Sequence, residues 1–137
     1  MRRYRVIAHT ADTGIVAHGA TAAEAFENAA YGMFDLMFDL RRLGVGEECA
    51  VEARAETTDE LLVAWLSALL AEAEIRGLVF SRFTVEELGE GVVRGTARGV
   101  PTAGLELRGP PVKAVTFHDL AVEQLPGGWQ ARVIFDV

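Results

Sequence analysis

Three short stretches of this chain carry the residue types from which a site could be built. His9-Thr10-Ala11-Asp12-Thr13-Gly14 is a polar knot between two strand-like pieces, a setting in which side chains from a tight connection can converge. Val112-Lys113-Ala114-Val115-Thr116-Phe117-His118-Asp119 sets three ionisable groups along one strand-like segment. Phe135-Asp136-Val137 puts a carboxylate one residue from the terminal carboxylate. Clustered carboxylates with a histidine and a lysine nearby could serve a metal-dependent hydrolase. They equally suffice to hold a cation without chemistry, and no paired acid and base stands out. The sequence has no CxxC pair, no P-loop and no GxSxG elbow, so the strongest signatures of redox, nucleotide-hydrolysing and serine-esterase chemistry are missing.

Each of these residues also has a plain reading. Asp12 can cap the Thr13-Gly14 step through an Asx-type hydrogen bond, and Asp136 can be a solvated strand end. Lys113 is the one lysine beside twelve arginines. Either it is a compositional residue, or a compact ammonium is wanted where a planar guanidinium would not serve. If the segment is a regular strand, Lys113, Val115, Phe117 and Asp119 share one face, and Val112, Ala114, Thr116, His118 and Leu120 the other. Lys113 and His118 then address one site only if a bulge intervenes. His118 reads as a hydrogen-bonded histidine half inside the fold, and His18 as a surface strand residue.

The elements that must position these residues are legible from periodicity. Arg3 to His9 alternates, and a second strand-like piece runs from Thr13-Gly14 through Gly19. Thr21 with Glu24 forms a capping-box pattern ahead of a helix whose apolar stripe is Ala22, Phe26, Ala29, Ala30, Met33, Phe34, Met37 and Leu40. An alternating stretch, Cys49, Val51, Ala53 and Ala55, follows. Thr57 with Glu60 then repeats the capping signature before Leu61, Leu62, Trp65, Leu66, Leu69, Leu70 and Ala73, and Gly77 is a natural stop. The remainder is β-rich: residues 78–88, a Gly89-Glu90-Gly91 turn, 92–100, 112–123 and 129–137, the last two joined by Leu125-Pro126-Gly127-Gly128. This order predicts a single α+β domain over residues 1–137, with two amphipathic helices packed on a mostly antiparallel β-sheet or sandwich.

Composition bounds the function. The 137 residues are half apolar, enough to bury a core unaided. A net charge of −7 with scattered basic residues is the wrong footprint for gripping a phosphate backbone, so no direct, tight nucleic-acid binding is expected. It suits a basic protein partner or a cation, and plain solubility explains it equally. The lone Cys49, with no signal peptide or membrane-spanning run in view, fits a reducing cytoplasm and no membrane.

Several blocks, in order along nearly the whole chain, resemble the archease family. HTADTGIVAHG followed by TAAEAFENAAYGMFDLM resembles its opening turn, strand and helix; ELLVAWLSALL with GLVF its second helix and next strand; VKAVTFHDLAV and WQARVIFDV its closing hairpin. The resemblance implies a protein cofactor that activates the RtcB-type RNA ligase of tRNA splicing, promoting its guanylylation and multiple turnover, while the ligase performs the chemistry. It also implies a metal site at Asp12 and Asp136, with an oxygen of Val137, and a role for Lys113 in activating the ligase. The ion is a divalent cation, calcium first, with magnesium or manganese as alternatives; oxygen donors suit such hard ions. His9, beside Asp12, is a candidate to orient it, and His118 a weaker one. The competing classes are a metal-dependent hydrolase and a general chaperone or adaptor. The second would need exposed apolar patches that the core stripes do not supply.

Overall fold

The computed structural model describes residues 3–8 and 12–137. Its architecture is the expected α+β arrangement of two helices and two antiparallel sheets. β1 (Tyr4–Ala8) and β2 (Thr13–Gly19) pair antiparallel, and β2 in turn pairs along its full length with the last strand, β8 (Gly128–Asp136). The far edge of β8 is taken by two pieces, β6 (Ala114–Val115) and β7 (Ala121–Leu125). The second sheet has the order β3 (Glu47–Arg54), β5 (Val92–Pro101), β4 (Leu78–Gly89).

Helix α1 (Ala22–Met37) lies across β2 and β8 of the first sheet and alongside β4 of the second, while α2 (Thr58–Arg76) packs mainly on β3. One contiguous apolar cluster therefore joins both sheets and both helices, with Phe26, Phe34, Trp65, Phe80 and Phe135 among its most buried members. The Trp65 indole N–H donates to the Phe26 carbonyl at 3.3 Å, so the one polar atom of this large side chain is satisfied inside the core. Gly32 lets α1 approach the first sheet closely: a Cβ there would lie 2.8 Å from the Tyr4 ring and 2.9 Å from Ile15. On the other side Glu27 reaches the bulge in edge strand β4 and accepts the Val85 N–H at 2.7 Å, covering a backbone donor that an edge strand would otherwise leave to solvent.

The caps behave as the sequence implies, with one difference. At α2 the Thr57–Glu60 box is complete, and Gly77 ends the helix in the left-handed region at φ 65°. At α1 Thr21 accepts from the Glu24 N–H, but the Glu24 carboxylate reaches back to Ala20 N–H instead of to the cap residue itself. The helix also ends at Met37, and Leu40 is buried from a following 3-10 turn, Leu40–Arg42.

Two hairpins close on the anticipated turns. Glu90-Gly91 connects β4 to β5 with both residues at positive φ, the geometry that matches strand twist, and Pro126-Gly127 connects β7 to β8. The larger correction concerns residues 112–123, expected as one strand. The chain pairs with β8 at 114–115, leaves it, and returns at 121 with the pairing register slipped by three residues. In the excursion Asp119 adopts φ 50°, an uncommon conformation for a non-glycine residue, so regular alternation across the segment is lost.

Candidate functional site

β8 brings two of the three polar stretches together. Thr13 pairs with Phe135 and Gly14 with Ile134, so one further step along the same antiparallel register sets Asp12 opposite Asp136. Directly opposed residues share a face. Phe135 points into the core with no exposed surface, hence Asp136 lies on the other face at the end of the sheet, exposed, while Asp12, half-buried, stands just before β2. Gly14 lies behind them because a Cβ there would meet Ile134, the Ile7 side chain and the Val133 carbonyl. Val137, half-buried, follows directly.

On the other side of β8, the Lys113 N–H donates to the Asp136 carbonyl at 2.8 Å, and Ala114 pairs with Asp136. Lys113 is thus tied to the aspartate edge through its backbone. Its exposed side chain belongs to the opposite strand face and lines a cleft of about 470 Å³ between the end of α1 and α2, with Phe34, Met37, Leu70, Glu74 and Val112.

His118 is not the half-buried residue expected from the sequence. It is exposed, in the excursion, with Nε2 3.8 Å from the Asp119 carboxylate. Thr116 anchors the start of the excursion, donating from both its N–H and its hydroxyl to the Ile134 carbonyl, at 3.0 and 2.9 Å. Asp59 at the start of α2 holds its far end by accepting the Val122 N–H at 2.9 Å. Phe117 projects from it, 65% exposed. His9 lies outside the described residues.

The donor set at the sheet end is all oxygen: two aspartate carboxylates and a main-chain oxygen of Val137. That chemistry fits a hard divalent cation and not a soft one. Among the described residues no group of three or more His, Cys, Asp or Glu side chains converges, at this edge or elsewhere.

A second polar constellation was invisible in the sequence. Asp35 of α1, 9% exposed, accepts the Tyr4 hydroxyl at 2.7 Å and the Leu40 N–H at 3.1 Å, and pairs with Arg108 at 3.0 Å. Arg108 also donates from Nε and Nη2 to the Asp35 carbonyl, and its N–H donates to the Met37 carbonyl, so a distant arginine supplies the positive charge that the last turn of α1 lacks. Burial, and then the bond to Asp35, push the Tyr4 hydroxyl well above the ordinary tyrosine range. Arg3 and Arg41 line the same depression as this hub.

The comparisons with known proteins follow the same outline. The family model described as Archease protein family (MTH1598/TM1083) matches residues 4–137. The chain belongs to the archease family. It is 37% identical to the protein archease of Pyrococcus furiosus and 38% identical to that of Thermococcus gammatolerans, in both cases with all of each chain covered. The solution structure of Methanobacterium thermoautotrophicum protein 1598 superposes with a TM-score of 0.82 at 35% identity over the whole of both chains. A crystal structure of a Thermotoga maritima archease, described as a possible chaperone, shares the fold, with a TM-score of 0.66 at 22% identity over 96% of this chain and 94% of that one. Among the described residues of this archease no helix is long and apolar enough to cross a membrane.

Proposed function

We propose that this archease is a non-catalytic protein cofactor that activates an RtcB-type RNA ligase of tRNA splicing, acting in the cytoplasm and carrying a divalent cation at Asp12, Asp136 and Val137. The observation that supports this reading best is the β2–β8 register, whose last pair, Thr13 with Phe135, is next in sequence to Asp12 and Asp136, in a chain that belongs to the family along its length. Bound there, the cation supplies a focus of positive charge for phosphate or carboxylate oxygens of the partner's nucleotide site. Asp12 and Asp136 would hold it, flanking the last pair of the β2–β8 ladder. Lys113, fastened by its N–H to the Asp136 carbonyl, would present its exposed ammonium to the ligase or its nucleotide from the residue before β6. The buried free Cys49 is compatible with a reducing compartment.

The test is guanylylation of a purified RtcB-type ligase by GTP, with and without substoichiometric archease, followed over several ligation turnovers. Activation that disappears in Asp12→Ala and Asp136→Ala, with unchanged melting temperature and lost calcium binding by calorimetry, supports the reading. Equal ligase rates and turnover with and without the chain would overturn it. Phosphate-ester or RNA hydrolysis by the isolated protein, abolished by Asp12→Ala, would put a hydrolase in its place.

A further inference from the structure

The cup formed where the start of β1 meets the end of α1 has no part in the aspartate edge. Arg3, Tyr4, Tyr31, Asp35, Arg41 and Arg108 line an open depression of about 420 Å³, within the volume range of small-ligand sites. Its charge is opposite to that of the protein. Among its lining residues Arg3, Arg41 and Arg108 stand against Asp35, an excess of two positive charges in a chain of net −7, and Asp39 just outside pairs with Arg41, Arg42 and Arg108.

The donors are held in different ways. Arg108 is fixed by the Asp35 carboxylate and carbonyl, so its guanidinium has one orientation before any ligand arrives. Arg3 has no carboxylate partner among the described residues; its guanidinium lies 4.2 Å from the centroid of the Tyr31 ring. Arg41 touches Asp39 at 3.4 Å from one nitrogen, and its side chain is 79% exposed, which leaves most of its donors available. Burial raises the pKa of Asp39, but the hydrogen bond and charge of Arg41 and the charge of Arg108 outweigh it and hold the carboxyl below its ordinary range, so it stays ionised as a counter-charge.

Guanidinium forks recognise oxyanions by paired hydrogen bonds, and the Arg3 and Arg41 forks, beside the charge of the anchored Arg108, suit a dianion with three terminal oxygens better than a single carboxylate. The Arg3–Tyr31 pair adds a flat wall on which a base could stack. We infer that the Arg3–Arg41–Arg108 cup binds a phosphate monoester group, as inorganic phosphate or at the end of a nucleotide. This rests on the cup alone and is independent of the ligase reading.

The experiment is calorimetric titration of the full chain with inorganic phosphate and with guanosine monophosphate, repeated on Arg41→Gln and on the double variant Arg3→Gln, Arg41→Gln. Thermal melts control for folding, which Arg41, a surface residue, should not disturb. Saturable binding of inorganic phosphate that weakens roughly tenfold in Arg41→Gln and is lost in the double variant supports the site, since each deletion removes charge-assisted hydrogen bonds. Tighter binding of the nucleotide, sensitive to Tyr31→Ala, identifies the nucleotide as the source; equal binding identifies the phosphate group alone. No saturable binding to either probe at about 10 mM, a concentration beyond the weak end of specific affinities, overturns the inference. So does binding that the double variant leaves unchanged.

Discussion

Replacing Asp35 by alanine tests whether the polar hub under α1 stabilises the fold as its contacts imply. The carboxylate has three partners: the Tyr4 hydroxyl at 2.7 Å, the Leu40 N–H at 3.1 Å and Arg108 at 3.0 Å. Leu40 is 1% exposed, so its N–H loses its partner without gaining water, at about 1–3 kcal/mol. The half-buried Tyr4 hydroxyl adds about 1 kcal/mol. Arg108 is 42% exposed and keeps its bonds to the Asp35 carbonyl, so solvent screening limits its share to under about 1 kcal/mol. The expected loss is about 3 kcal/mol, or roughly 10 °C in Tm for a chain of this length. Urea unfolding by circular dichroism measures it, with Tyr4→Phe and the double variant closing a cycle. Because both changes break one bond, the double variant should be less destabilised than the singles predict, by about 1 kcal/mol. An Asp35→Ala protein within about 0.5 kcal/mol of the parent would refute the account, because surface-like substitutions behave that way.

Three further outcomes follow from the burial of Tyr4, Cys49 and Gly95. The Tyr4 pKa is raised, so the folded state holds that proton more tightly than the unfolded one; stability is intact below the ordinary tyrosine pKa of about 10 and falls as pH rises past it, and Tyr4→Phe should flatten this alkaline slope of the urea midpoint. Burial pushes the Cys49 thiol up and leaves it 3% exposed, so a thiol reagent at neutral pH should modify the folded protein at least about 100-fold more slowly than the protein in urea. Gly95→Ala puts a methyl against the Thr84 carbonyl, 3.0 Å from the Trp65 ring, and should cost roughly 2 kcal/mol by overpacking, whereas Gly77→Ala meets nothing within 4 Å and should cost only about 1 kcal/mol of left-handed strain.

Helices and hairpins were legible because their signals are local. A Thr and a Glu three residues apart, a stripe at three and four, and a Pro-Gly or Glu-Gly step between apolar runs each act within one turn of chain. The break at residues 116–120 was not, because Val112 through Val122 is apolar enough to pass as a strand, and what interrupts it lies elsewhere in the chain: the Ile134 carbonyl taken by Thr116, and Asp59 taking the Val122 N–H. His118 differs from expectation because its half-burial rested on the intermediate burial typical of histidine, and the excursion carries it out to solvent. The neighbourhood of Asp12 and Asp136 came from family resemblance, and the β2–β8 register supplies its physical basis. Nothing in the sequence marks the Asp35 hub. Arg108 is 73 residues from Asp35 and Tyr4 is 31, and no pattern pairs a helix carboxylate with a phenol and a guanidinium at such separations.

The aspartate edge and the arginine cup sit at opposite ends of β1, which allows their roles to be separated in one protein. Tyr4 pairs with Ala17 at one end, and Ala8 with Thr13, next to Asp12, at the other. Four residue steps at ~3.3 Å make ~13 Å, beyond the ~8 Å over which exposed charges interact at physiological salt. At that distance, with no partner shared between them, substitutions at the two ends should add within about 0.5 kcal/mol. Arg41→Gln should therefore leave calcium affinity unchanged, and Asp136→Ala should leave phosphate affinity unchanged, each within about twofold by calorimetry. A calcium affinity that falls several-fold in Arg41→Gln would mean that the two ends communicate through the sheet. The β1–β2 hairpin would then be a deformable element and not the rigid spacer that its uninterrupted five-pair register implies.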